Sequence, residues 1–578
     1  MPNGRYHRGR MVHYLLSWGD PLQRVYDIEV RFMAPSDDPR LLLPVWRPGR
    51  YLVQNYAANV RQFSAVDGAG APLRSWKDDL SVWRVASRQG EAVTVRYRFY
   101  AGRLDAGSSF LDEREAYFNG SNLFMMIDGL RAEPVQLTVA APAEWQFATQ
   151  LPRDGSTFSA RDYDHLIDSP VIAAESLTRY TFNAAGARIH LVFVNDQGID
   201  TEQYVEPVRD IIDAQARLIG ELPFVEYHFL THVGDRWHGV EHEDSCSIIA
   251  ERAAMLAAHP GSEGYDHFLS IVSHEFFHVW NVKRLLPAVF APYDYFRPVP
   301  TKLLWFFEGG TSYFGDLALV RAGIWTVDRY LDHLASQIAL LENAPGREFL
   351  SAAQASFDGW LHDPAQMHDR TNSWFSFYNK GELLSLLLDL TIREKSGGER
   401  SLDDVFRVLW SGYERGEPGV AEDGLERAVA EVVDVGDFFV RYVDGTDDLP
   451  YAELLATAGI EMHASVVGEG RPAIGCTLRD IGGALTVDGV YAHGAAGEAG
   501  LLAGDELIAL DGTRVRTAAD VQRILSTADD DEMLEALISR AGEMRPMPIR
   551  ASSDPRVEVR LSHEGTRERI EQWLGRKA

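Results

Sequence analysis

The chain has 578 residues, more than one hydrophobic core organises, so three or four domains are expected. Its 46% apolar and 24% charged residues are those of a globular protein, and no stretch is long and uncharged enough to cross a bilayer. Lys and Arg number 56 against 85 Asp and Glu, and the resulting net charge of −29 excludes gathering of nucleic acid or anionic membrane and otherwise serves solubility.

The first 18 residues hold Arg and His but neither an apolar core of signal-peptide length nor a small-residue cleavage site, so a cytoplasmic location is expected. Short alternating apolar runs continue to about residue 185, as in Val25-Tyr26-Asp27-Ile28-Glu29-Val30 and Val93-Thr94-Val95-Arg96-Tyr97, and predict a β-rich domain over 1–185. The period turns helical over 206–219, with Gly220 as a stop. Strand-like runs at 227–233 and 247–250 precede a strongly apolar helix over 266–284, within a segment taken as 186–324. Repeated helical patterns, such as 331–341 and 380–390, make 325–464 a helical domain. From 465 to 563 short strands punctuated by Gly return, and 564–578 is left as a tail. The only cysteines, Cys246 and Cys476, exclude a disulfide framework and a cysteine-rich metal site, so a metal would need His and carboxylate ligands.

Such ligands are present. His274-Glu275-Phe276-Phe277-His278 lies in the apolar helix, where four-residue spacing brings both imidazoles to one face. Glu275 stands beside that face, placed to take a proton from water at the metal. The competing reading is a buried helix with two His residues bonded to backbone or to each other. A second segment weighs against it: Leu304-Trp305-Phe306-Phe307-Glu308-Gly309-Gly310 puts a carboxylate in an otherwise apolar helix, where it is costly unless it binds a metal. His274, His278 and Glu308 would make a three-ligand site with an open position, the catalytic arrangement of Zn²⁺, one per chain.

The pair of motifs resembles the gluzincins, the thermolysin-like zinc peptidases whose third ligand is a Glu on a later helix. The 29 residues between His278 and Glu308 make it resemble the glycyl aminopeptidase family, whose members carry a PDZ domain. Three segments add to the resemblance. His238-Gly239-Val240-Glu241-His242 is similar to the G-x-M-E-N element of zinc aminopeptidases, which implies that Glu241, beside Gly239, binds the substrate's free amine. On composition alone Glu241 also reads as one more acidic loop residue near Glu243 and Asp244. Phe377-Tyr378-Asn379-Lys380-Gly381 resembles the Y-x-K-G element, implying that Tyr378 donates to the oxyanion, although a Tyr before a helix is also common core packing. Tyr117-Phe118-Asn119-Gly120 resembles the family's substrate-facing turn, implying contact of Asn119 with the peptide N-terminus; Asn-Gly is also a plain turn signal.

Residues 494–512, with Leu502-Ala503-Gly504-Asp505-Glu506-Leu507-Ile508 at their centre, resemble the most recognisable stretch of PDZ domains. That implies a groove between the loop of 471–475 and a helix near 518–525, where an extended peptide C-terminus would dock; packing or regulation alone is the other reading. The expected fold is thus multidomain α+β: a β-rich N-terminal domain, a thermolysin-like catalytic domain, a helical domain and a C-terminal PDZ domain. The resemblance implies a zinc aminopeptidase acting on peptides with small N-terminal residues, Gly or Ala. Two rivals stand beside it. A zinc endopeptidase would share the metal chemistry without the amine anchor, and a non-catalytic PDZ scaffold would have no use for Glu275.

Overall fold

The computed structural model describes residues 11–466, 472–492, 494–553, 556–563 and 567–575. It divides into two compact units, 1–300 with 314–325 and 406–425, and 301–313 with 326–405 and 426–578.

In the first unit the alternation read from sequence becomes an eight-stranded sheet. Val25–Met33 and Ala92–Tyr100 pair antiparallel at its centre, with Val30 opposite Val95. Tyr26, Ile28, Val30 and Phe32 turn inward to meet Val93, Val95, Tyr97 and Phe99 in one core, as a strand with one solvated face requires. A five-stranded sheet follows in the order Thr178–Ala184, Ala187–Val194, Glu226–Gly234, Ser245–Glu251, His238–Glu241. Its three central strands are parallel and its two edges antiparallel. The strand Thr178–Ala184 pairs with Ala187–Val194, so this sheet begins before residue 186.

The helices Val205–Ile219 and Glu263–Phe277 accompany this sheet. Gly220 ends the first as expected, in the left-handed region at φ 110°, its N–H donating to Ala216. Gln215 joins the two helices by donating to the carbonyl (2.7 Å) and hydroxyl (2.9 Å) of Ser273. The second helix stops at Phe277 rather than continuing to 284. The chain turns there so that the carbonyl of Asn281 reaches the His278 ring.

The second unit contains a π-helical turn, Trp305–Gly310, and the helices Val327–Glu342, Phe377–Lys395 and Tyr451–Thr457. Its PDZ domain is built on a six-stranded sheet with the helix Ala518–Leu525, which Thr517 and Asp520 cap reciprocally. Two asparagines hold this domain to the helical part. Asn343 bonds both the N–H and the C=O of Val557, and Asn372 bonds Val490 C=O and Ala492 N–H, each amide replacing a backbone strand partner. Of the expected peptide-receiving loop, Arg471 lies outside the described residues. Ile474, Leu478, Val521 and Leu525 line a cavity of about 470 Å³ that Pro345 and Glu348 of the helical part also wall. The segment read as a tail holds a helix, Arg567–Leu574, whose Trp573 is buried against Tyr330. No helix among the described residues is long and apolar enough to cross a membrane.

Candidate active site

His274 and His278 stand at the C-terminal end of their helix with Nε2 atoms 3.0 Å apart and ring planes at 84°. The Nδ1–H of His278 donates to the Asn281 carbonyl at 2.6 Å, which leaves its Nε2 lone pair directed at His274. Gly315 packs its Cα on the backbone of His274, and the Ser273 hydroxyl donates to the Gly315 carbonyl at 2.7 Å. Two imidazole nitrogens this close must share a proton or meet a cation. Ligand atoms about 2.0–2.1 Å from a tetrahedral zinc stand only slightly further apart, so the pair fits that metal.

Two carboxylates share this volume. One oxygen each from Glu241 and Glu275 and one nitrogen of His278 lie within 4.8 Å of one another. Each carboxylate is backed by a glycine. A Cβ on Gly239 would fall 2.1 Å from Glu275 Oε1, and a Cβ on Gly49 would fall 2.2 Å from Glu241 Oε2. Gly239 of the aminopeptidase-like element is therefore required as space for the proposed base. Gly49, at φ 76° in the turn of residues 47–50, comes from the β-rich domain, and no local sequence pattern marks it. Glu241 is 3% exposed, and its Oε1 has no hydrogen-bond partner among the described residues.

Behind Glu241 the chain is fixed by a buried ion pair that has no local sequence pattern either. Asp168 accepts from Lys283 Nζ at 2.7 Å, from the Glu243 N–H at 2.9 Å and pairs with His242 Nδ1 at 3.3 Å. Burial raises the proton affinity of Asp168, but the Lys283 ammonium and His242 outweigh it and hold the carboxyl well below its usual range. Arg284 adds bonds to the Glu243 carbonyl and Asp244. Asn119 is fully buried: its amide nitrogen donates to Ser108 O (2.9 Å), Ala106 O (3.3 Å) and Tyr117 Oη (2.8 Å), clasping the segment at 106–108. Its Oδ1 has no partner among the described residues.

The other two expected residues belong to the second unit. Glu308 is 1% exposed in the π-helical turn, a distortion of the helix that recurs at functional sites. That turn meets the helix Phe377–Lys395 backbone to backbone. A Cβ on Gly309 would lie 2.4 Å from Gly381 Cα, and one on Gly381 would lie 2.0 Å from the Trp305 carbonyl. Tyr378, half-buried on the first turn of the same helix, stacks on Phe377 with ring centroids 4.9 Å apart.

Residues 13–175 match the Peptidase M61 N-terminal domain, residues 267–384 match M61 glycyl aminopeptidase, and residues 486–537 match a PDZ domain. The crystal structure of an aminopeptidase N family protein from Idiomarina loihiensis is similar at 30% identity, with a TM-score of 0.92, covering 98% of this chain and 100% of its own. An M1 zinc metallopeptidase from Deinococcus radiodurans is similar at 15% identity and a TM-score of 0.48, covering 76% of this chain and 94% of its own. No curated protein matches the sequence. With the histidine pair in the matched catalytic segment and a 30% identical relative matched over its whole length, the chain belongs to the M61 glycyl aminopeptidase family and is a zinc aminopeptidase.

Proposed function

We propose that this enzyme removes small N-terminal residues, Gly or Ala, from peptides, with its zinc held by His274, His278 and Glu308. The observation that carries the exopeptidase reading is Glu241, a buried carboxylate with an oxygen that no described donor answers, next to Glu275 and His278. A substrate ammonium supplies both the missing donor and the opposite charge. Zinc, when bound, supplies a Lewis acid that polarises the scissile carbonyl and brings water to nucleophilic strength near neutral pH. Glu275 takes the proton of the attacking water and returns it to the leaving amine. Tyr378 donates its phenolic hydrogen to the developing oxyanion. Glu241 fixes the ammonium, so that only the first peptide bond is presented. The small first residue is supported by the match of residues 267–384 to M61 glycyl aminopeptidase. At the PDZ domain, the cavity beside Ile474 and Val521 supports docking of an extended peptide C-terminus.

The test is mass spectrometry of a peptide and its N-acetylated twin after incubation with the enzyme. Stepwise loss of single residues from the free peptide alone is expected. Internal cuts in both would make the enzyme an endopeptidase.

A further inference from the structure

We propose that Arg50 and Tyr56 form a carboxylate-binding subsite beside the amine anchor, so that the enzyme favours peptides presenting a carboxylate near their free amine. The inference rests on the reading of Glu241 as that anchor. Residues 47–50 form a tight turn in which Arg50 N–H donates to the Arg47 carbonyl at 3.3 Å and Gly49 touches the Glu241 carboxylate. Two arginines flank that glycine, and only one is answered by the protein. Arg47 is 3% exposed; its guanidinium lies against Gly107, donates to the Pro48 carbonyl at 2.9 Å and, with His238, holds Asp105 below the ordinary carboxylate range against the effect of burial.

Arg50 differs. It is half-buried, and among the described residues its side chain has no hydrogen bond, ion pair or ring contact; its Nε is buried without an acceptor. Tyr56, six residues on, is 7% exposed at the core of the β-rich domain, with a buried hydroxyl that also lacks a partner among the described residues. Burial pushes this phenol up to about 12, with Arg47 and Arg50 pulling the other way, so it carries its hydrogen at neutral pH and lies within the field of Arg50. Arg50 also lowers the proton affinity of His238, at the start of the strand that ends in Glu241, after the larger effects of burial and Arg47. Solvent satisfies an exposed guanidinium, but a buried Nε and a buried phenol go unpaired at a cost unless an acceptor arrives. Gly49 therefore stands between an acceptor lacking a donor, Glu241, and a donor lacking an acceptor, the Nε of Arg50, with the unanswered phenol of Tyr56 within the field of that arginine. An amine and a carboxylate on one short ligand complement that array, with the guanidinium suited to a two-pronged grip.

The carboxylate could be the side chain of an acidic second residue or the C-terminus of a short peptide, and two pairs of twins separate them: Ala-Asp-amide against Ala-Asn-amide, and Ala-Ala against Ala-Ala-amide. Each would be titrated calorimetrically into the zinc-loaded Glu275→Gln enzyme, with and without Arg50→Gln, so that binding is read without turnover. In one pair the carboxylate member should bind about 10- to 100-fold tighter, and Arg50→Gln should bring that ratio close to one. Tyr56→Phe should reduce it in part, and Arg50→Lys should restore part of it. Equal affinities within both pairs, or a ratio that survives Arg50→Gln, would overturn the subsite. N-acetylated ligands report separately on the anchor: if acetylation leaves affinity unchanged, the reading of Glu241 fails. Melting curves of each variant show that a lost ratio is not lost structure.

Discussion

Gly239→Ala should remove turnover while leaving the metal and the amine site in place. The added Cβ would stand 2.1 Å from Glu275 Oε1, 2.5 Å from Cδ and 2.8 Å from Cγ. A carbon–oxygen contact needs about 3.3 Å, so a retreat of about 1 Å is forced. The strand His238–Glu241 is held by its ladder to Ser245–Glu251, where Gly239 faces Ile248, and by the buried side chain of Val240, so the carboxylate is the part that moves. A misplacement of that size costs about 10²-fold, and a general base is itself worth about 10²- to 10⁴-fold. We expect kcat to fall about 10²- to 10³-fold on an Ala-anilide, KM to stay within about threefold, and overpacking to cost about 1–3 kcal/mol. Steady-state kinetics, zinc quantification and a thermal melt read these together. A folded Gly239→Ala enzyme with kcat within about threefold of the parent would refute the placement of Glu275 as base. Gly49→Ala makes the converse change, since its Cβ would press on Glu241 from 2.2 Å, and its penalty should appear chiefly in KM.

Glu308→Ala should lose zinc on dialysis whereas Glu275→Gln retains it without turnover; equal metal loss by elemental analysis would undo the division into ligand and base. Tyr378→Phe should lower kcat about 10²- to 10³-fold with little change in KM, and an unchanged kcat would return Tyr378 to packing against Phe377. Lys380 is 2% exposed over the Phe375 ring, and burial, then Arg347, lowers it to about 8 with Glu342 opposing. Its folded value lies below its unfolded one, so the folded state holds fewer protons between about pH 8 and 10.5 and stability should rise with pH there. Lys380→Met should flatten that rise and add about 2–4 kcal/mol near pH 7, read by urea unfolding across the range; parallel curves for the two proteins would refute it.

What was legible in the sequence is whatever one element carries by itself. Four-residue spacing fixes His274 and His278 on one helix face, and alternation fixes the inward row of Val25–Met33. The glycines at 239 and 381 were legible only as parts of a family pattern; their cause, contact with Glu275 and with the Trp305 carbonyl, needs the packed chain. Asp168, Lys283, Gly49 and Arg50 were not legible, because they reach Glu241 and its strand across long stretches of sequence and none has a local pattern. The π-helical turn at Trp305–Gly310 escaped for another reason. Its residues are buried all round, so no apolar face distinguishes one helical period from another. The helix Arg567–Leu574 was hidden by its charged residues, although Trp573 anchors it.

The closeness of Glu241 and Glu275 gives the free amine a second role. With carboxylate oxygens within 4.8 Å and an effective dielectric of about 20, two full charges repel by about 3.5 kcal/mol or more. The Lys283 ammonium relieves this only in part: its field reaches Glu241, but its contact at 2.7 Å is with Asp168. The metal side relieves Glu275, and an ammonium relieves Glu241. A peptide with a free N-terminus therefore brings a cation to the two carboxylates, one to hold it and the other to act as base. An acetylated peptide brings none: it leaves Glu241 buried and unanswered at the moment Glu275 must be free to take a proton. Discrimination against blocked peptides should accordingly appear in kcat as well as in KM, since the same charge that anchors the substrate also sets the field in which the base works.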